Sequence, residues 1–145
     1  MRKGEPASGQ EFFDLLCGDT EFCTELGRAM LAAGRLESEL KQFLAANNIR
    51  DTEKATLGQL TRHLKHHGLL TKMQPHLDML STQRNYLAHS MPALFSELIE
   101  ETILPRSDLL DSDVDVFTER AWQLADNLNA LAGIVAKERR TNDGK

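Results

Sequence analysis

Cysteine, proline and long apolar runs are scarce in this sequence, and each scarcity excludes a class of protein. Its 145 residues include two cysteines and four prolines. Cys17 and Cys23 lie six residues apart without a second pair of metal-type ligands, so we expect reduced, partly buried thiols rather than a disulfide or a zinc site. The apolar runs are short and broken by polar residues, and the first ten residues, MRKGEPASGQ, lack the apolar segment of a signal peptide. We therefore expect a cytoplasmic protein with no membrane partner.

A basic excess is also missing, since the formal net charge is −5. Proteins that coat nucleic acid usually carry a basic surface, so this charge argues against such a role for the chain as a whole. The charge is nevertheless uneven. Residues 61–90 contain four lysines and arginines, all five histidines and one acidic residue, whereas residues 97–119 contain eight acidic residues and one arginine. A locally basic surface on an acidic protein can attract an anionic ligand to one place.

Short helices are predicted where capping residues precede apolar positions at helical spacing. Ser8 with Glu11, and Thr56 with Gln59, match the capping box in which a side-chain oxygen accepts from a free backbone amide. The first pair predicts a short helix that ends at Gly18. The second predicts a third helix that ends near residue 68.

Longer helices are predicted where apolar residues recur at steps of three and four. Asp19 or Thr20 caps a second helix that reaches about residue 48. A fourth helix starts near residue 69 or 71 and ends at about residue 91, and the last begins at Asp113 or Asp115. The stripes of the second, third and last helices are Phe22, Leu26, Ala29, Ala33, Leu36, Leu40 and Phe43, then Leu57, Leu60 and Leu64, then Phe117, Ala121, Leu124, Leu128, Leu131 and Val135.

The fold class follows from these stripes. No segment alternates polar and apolar residues as a half-buried strand does, so we predict an all-α fold, an up-and-down bundle of four to five main helices. It forms a single domain over residues 1–145, with flexible ends at 1–7 and 138–145. Long stripes on a small bundle also favour a homodimer, because pairing covers apolar area that one copy leaves exposed.

The segment TQRNYLAHS places Arg84, Asn85 and His89 near the end of the fourth helix. Positions 73, 77, 80, 84, 87 and 91 form the apolar stripe of that helix, so Arg84 stands where leucine would be expected. Burying an unpaired charge costs free energy, so a carboxylate or a polar cleft must face the guanidinium. Asn85 and His89 are four residues apart and share a helical face, and the long side chain of Arg84 can bend toward them.

These three side chains suit the cleavage of a phosphodiester. Arginine offers a fork of donors that matches two phosphate oxygens, and histidine exchanges protons near neutral pH. Cleaving RNA without a metal ion needs a base for the 2′-hydroxyl proton and a cation for the charge that builds on the phosphate oxygens. A purely structural alternative pairs Arg84 with a carboxylate such as Glu37 or Glu39 and lets His89 end the helix at its negative pole.

The six residues RNYLAH, from Arg84 to His89, resemble the Arg-x4-His motif of the HEPN superfamily. Many members are metal-independent ribonucleases, found as toxins, in phage defence and in RNA processing. Members are helical bundles, commonly homodimers in which the motifs of both subunits form one site. The resemblance implies a HEPN-like fold, a phosphate-stabilising role for Arg84, and a role as general base or acid for His89, with Asn85 as the polar residue after the arginine. It also implies an RNA substrate, no metal ion or other cofactor, and a cognate antitoxin protein as a candidate partner.

One departure from the family pattern concerns that partner. In HEPN toxins paired with a minimal nucleotidyltransferase, the motif histidine is followed by any residue and then by a tyrosine that the partner modifies. Here Ser90 and Met91 follow His89, so that target is missing. Two functions are expected as alternatives. One is an endoribonuclease that acts as a toxin or in phage defence or a stress response, and the other is a catalytically inactive helical dimer that serves as a regulatory or protein-interaction module.

The segment RHLKHHG sets His63, His66 and His67 at helical spacings that could hold zinc or nickel. No carboxylate that would orient the imidazoles lies nearby in the sequence, so we expect no metal site here. Contact with RNA, alongside Arg62 and Lys65, is the alternative.

Overall fold

The computed structural model describes residues 4–85 and 110–143, and this part of the chain is all-helical. Five α-helices follow one another: α1 (Gly9–Gly18), α2 (Thr20–Ala46), α3 (Leu57–His66), α4 (Gln74–Asn85) and α5 (Asp113–Asp143), with a 3₁₀ turn at Thr71–Met73 before α4. The described residues contain no β-strand and one isolated bridge, between Pro6 and Leu110. The prediction of an all-α fold is confirmed. None of the described helices is both long and apolar enough to cross a membrane.

The helix starts follow the capping residues. Ser8 Oγ accepts a hydrogen bond from the Glu11 backbone amide at 3.2 Å. Asp19 Oδ1 accepts one from the amide three residues later at 2.6 Å. At the start of α3, the Gln59 amide donates to Thr56 Oγ1 at 3.3 Å and the Thr56 amide donates to Gln59 Oε1 at 2.9 Å. Because these contacts satisfy amides that the first turn of a helix leaves open, α1, α2 and α3 begin where the sequence predicts.

The predicted apolar stripes meet in one core. All stripe residues of α2, α3 and α5 are buried except Leu26, which is partly buried and packs against the core. Leu77 and Leu80 of α4 are buried with them. Phe12 of α1 and Phe117 of α5 meet edge to face with ring centroids 5.2 Å apart, so α1 closes the core at the start of α5.

The two longest helices, α2 and α5, lie side by side and run in the same direction. Near their starts, Glu21 and Asp115 line one groove. Further along both helices, Arg35 Nη1 donates to Asn129 Oδ1 at 3.2 Å. The predicted up-and-down order of the whole bundle also involves residues 86–109, which precede α5 and lie outside the described part.

Residues near both ends of the described chain belong to the fold, and whether the segments 1–7 and 138–145 are flexible stays a prediction. The backbone amides of Gly4 and Glu5 donate to Asp111 Oδ1 at 2.7 and 3.0 Å, and the Asp111 amide donates to the Glu5 carbonyl at 2.8 Å. At the other end, α5 continues to Asp143. Lysine, glutamate and arginine in its last turns favour helix, and the first helix-breaking residue is Gly144.

Candidate functional site

Arg84 lies in the last turn of α4, on the face that carries the buried Leu77 and Leu80. The residue is partly buried, and its Nε atom is closed to solvent. A guanidinium therefore continues the leucine stripe of α4 toward the interior of the bundle.

The other two predicted site residues lie at and beyond the edge of the described chain. Asn85 is the last residue of α4. The predictions for the Asn85 side chain and for His89 concern atoms outside the described residues, as do those for positions 87 and 91 of the stripe. Of the three, Arg84 is the one whose side chain the structure places.

Three helices meet next to Arg84. A Cβ atom built on Gly58 of α3 would lie 3.3 Å from Ser81 Oγ of α4, one turn before Arg84, so glycine permits a close approach of these helices. The neighbouring Leu57 amide donates to Glu37 Oε1 of α2 at 3.2 Å. The end of α4 is thus held against the start of α3 and the middle of α2.

The carboxylates that the sequence suggests as partners of Arg84 each hold another group. Glu37 accepts from the first amide of α3. Glu39 Oε2 lies 3.4 Å from Arg139 Nη2, and these side chains are 18% and 24% exposed. The first contact ties α2 to α3, and the second ties α2 to the last turns of α5.

A second concentration of cationic side chains lines a groove of about 630 Å³ along α3, which we name the basic groove. Its lining residues are Asp51, Lys54, Ala55, Gln59, Arg62, His63 and His66. Sequence reasoning singled out Arg62, His63 and His66 but missed Asp51 and Lys54, because these precede α3 and share no helical periodicity with it. Lys54 could have been predicted from its position two residues before the Thr56 cap, since this cap starts the helix that leads into the basic segment 61–90.

A groove of opposite charge lies between α2 and α5, encloses about 370 Å³, and is named the acidic groove. It is lined by Glu21, Glu25, Asp115, Thr118, Glu119 and Trp122. Trp122 is 49% exposed at its edge. The basic groove and the acidic groove thus present opposite charge on the described surface.

Metal ligation finds no support within residues 4–85 and 110–143. No group of three or more His, Cys, Asp or Glu side chains there is arranged to hold a metal ion. His66 and His67 instead contact each other edge to face, with ring centroids 5.0 Å apart. Cys17 and Cys23 are free thiols and are exposed, where we expected partial burial.

Comparison with known proteins found no matching family model, curated protein or solved structure. We therefore infer the function from the residues themselves.

Proposed function

We propose that this protein is a metal-independent endoribonuclease of HEPN type, acting as a toxin or in phage defence or a stress response. The observation that carries the proposal is the position of Arg84, a partly buried guanidinium that follows the buried Leu77 and Leu80 on the stripe of α4. Arginine suits this place in a nuclease because its fork of donors fits two phosphate oxygens. The motif RNYLAH and the all-helical fold agree with the proposal. In the homodimer, the motifs of both copies contribute to one site.

The proposed reaction divides its work between His89 and Arg84. His89 removes the proton of a 2′-hydroxyl, whose oxygen attacks the adjacent phosphorus and displaces the 5′-oxygen of the next nucleotide. That oxygen takes up a proton, so the products carry a 2′,3′-cyclic phosphate and a 5′-hydroxyl. Arg84 stabilises the negative charge that grows on the phosphate oxygens, and Asn85 orients the imidazole or the sugar.

Removal of the proposed base tests this function directly. We expect His89→Ala to abolish cleavage of tRNA and messenger RNA by the purified protein while leaving its thermal unfolding unchanged. His76→Ala is the matched control, because His76 is an exposed histidine on the same segment of chain, within α4. Cleavage should continue in the presence of a chelator. A wild-type protein that leaves both RNAs intact and causes no growth arrest on expression would contradict the proposal.

The acidic groove favours a second function, that of a protein-interaction module without catalysis. Trp122 and Leu31 are large apolar side chains on α5 and α2, 49% and 77% exposed, and carboxylates flank the tryptophan. Exposed aromatic residues often anchor protein interfaces. Under this alternative, Trp122→Ala removes the biological effect of the protein, whereas His89→Ala leaves it intact.

A further inference from the structure

The basic groove combines a helical wall with a wall made by the preceding loop. Gln59, Arg62, His63 and His66 project from the exposed side of α3, and Asp51, Lys54 and Ala55 form the opposite side. Arg62 and His66 are four residues apart, so they are neighbours along the helix, about 6 Å apart in rise. The groove is therefore an elongated surface with regularly spaced cationic side chains.

The loop wall of the groove is held in place by α2. Lys41 Nζ donates to the Glu53 carbonyl at 2.8 Å, and Thr52 is 6% exposed. Asp51 adopts a left-handed backbone conformation, with φ of 69°, that turns the chain toward α3. Because these contacts already fix the loop, binding of a ligand does not carry the entropy cost of ordering it.

The charge of the groove is opposite to that of the whole chain. Lys54 and Arg62 are cationic, and Asp51 is the single carboxylate in the lining. The chain as a whole carries a formal charge of −5. An anion that approaches this protein is therefore repelled by most of the surface and attracted here.

A nucleic-acid strand fits these features better than a small anion does. Arg62 and His66 lie more than one helical turn apart and Lys54 comes from the loop, so the lining does not converge on one point and suits successive phosphates of a chain. No phenylalanine, tyrosine or tryptophan lines the groove, so binding through the backbone is favoured over reading of the sequence.

We propose that the basic groove binds the sugar–phosphate backbone of single-stranded RNA, as a docking surface separate from Arg84. This inference rests on the proposed function for the choice of RNA as the ligand. Arg62 of α3 and Lys54 of the loop contact phosphates, and Gln59 donates a hydrogen bond to a phosphate or a 2′-oxygen.

The experiment measures binding apart from cleavage. A fluorescently labelled 2′-O-methyl RNA of about 12 nucleotides serves as the probe, because it has no free 2′-hydroxyl for the proposed reaction. We expect the double variant Lys54→Gln/Arg62→Gln to bind about 10-fold more weakly in anisotropy titrations at low salt. The slope of log affinity against log salt should fall by about 1.4, about 0.7 for each lost contact with a phosphate of a single strand.

A matched control variant makes the result specific. Arg28→Gln/Lys137→Gln removes the same charge from exposed positions on α2 and α5 and should bind like wild type. Equal weakening by both charge-removing variants would overturn the proposal, as would groove-dependent binding of a poly-glutamate peptide with no binding of the RNA probe.

The outcomes separate this inference from the proposed function. If wild type binds the probe through the groove but cleaves no RNA, the docking surface stands and the nuclease proposal fails. If the protein cleaves RNA while Lys54→Gln/Arg62→Gln binds the probe like wild type, the nuclease proposal stands and the docking surface fails. His89→Ala should bind the probe with wild-type affinity.

Discussion

Arg84 shows at the scale of one residue how side-chain shape, and not charge alone, decides what a site can do. Arg84→Lys keeps a positive charge on the stripe of α4 but loses the planar fork that fits two phosphate oxygens. We expect the rate of RNA cleavage under single-turnover conditions to fall about 100-fold, the usual cost of losing one donor that stabilises a transition state. The free energy of unfolding, measured with urea, should change by less than about 1 kcal/mol.

The matched control for this exchange is Arg28→Lys. Arg28 is also helical, and its side chain is 62% exposed. The Arg28→Lys variant should cleave RNA at the wild-type rate. A wild-type cleavage rate in Arg84→Lys would show that a point charge suffices at this position, which is incompatible with bidentate recognition of a phosphate.

At the scale of elements, the start of α3 depends on a side chain from another helix. The Thr56–Gln59 capping box satisfies part of the first turn, and Glu37 of α2 accepts from the Leu57 amide. Glu37→Ala removes that acceptor and should lower the free energy of unfolding by about 1 kcal/mol. Glu37→Gln should lose less, because an amide oxygen still accepts a hydrogen bond. Urea unfolding monitored by circular dichroism measures both changes.

The control for this prediction is Glu138→Ala, which removes an exposed carboxylate from α5. It should leave the unfolding curve close to that of wild type. If Glu37→Ala is equally silent, the capping box alone holds the start of α3, and the contact across helices contributes no stability.

Elements whose signals are local could be predicted from the sequence, whereas contacts between distant segments could not. Ser8 and Thr56 act on amides three residues away, so their effect is visible in a short stretch of sequence. Asp111 accepts a hydrogen bond from the Gly4 amide, which lies 107 positions away in the sequence. No local sequence pattern predicts such a contact. The loop residue Lys54 joins the basic groove for a similar reason, since Lys41 of α2 sets the path of that loop.

At the scale of the whole molecule, spacing predicts which face of a helix is buried but not the direction of its neighbour. The stripes from Phe22 and from Phe117 fit a parallel or an antiparallel pair equally well. The parallel arrangement is visible only in contacts between distant residues, such as Arg35 with Asn129. For the site, the same periodicity placed Arg84 on the stripe of α4, because that position depends only on helical spacing.

The parallel pair of α2 and α5 is built with small residues, and this gives a prediction about the whole fold. Both helices bury three alanines in the main core: Ala29, Ala32 and Ala33 on α2, and Ala121, Ala125 and Ala132 on α5. Small side chains let neighbouring helices approach closely, so the bundle has little room for larger ones. Ala121, which has 0% exposure, should not tolerate leucine. We expect Ala121→Leu to lower the free energy of unfolding by about 1–3 kcal/mol.

Ala130→Leu makes the same exchange at an exposed position of α5 and separates crowding from helix propensity. Leucine and alanine are both strong helix formers, so this control should unfold within about 0.5 kcal/mol of wild type. If Ala121→Leu also unfolds like wild type, the helices are not closely packed at this point, and the core must have space that a leucine can fill. Because Arg84 reaches the interior only through the packing of α4 against the same core, a loose core would also leave the guanidinium without a fixed position for a phosphate.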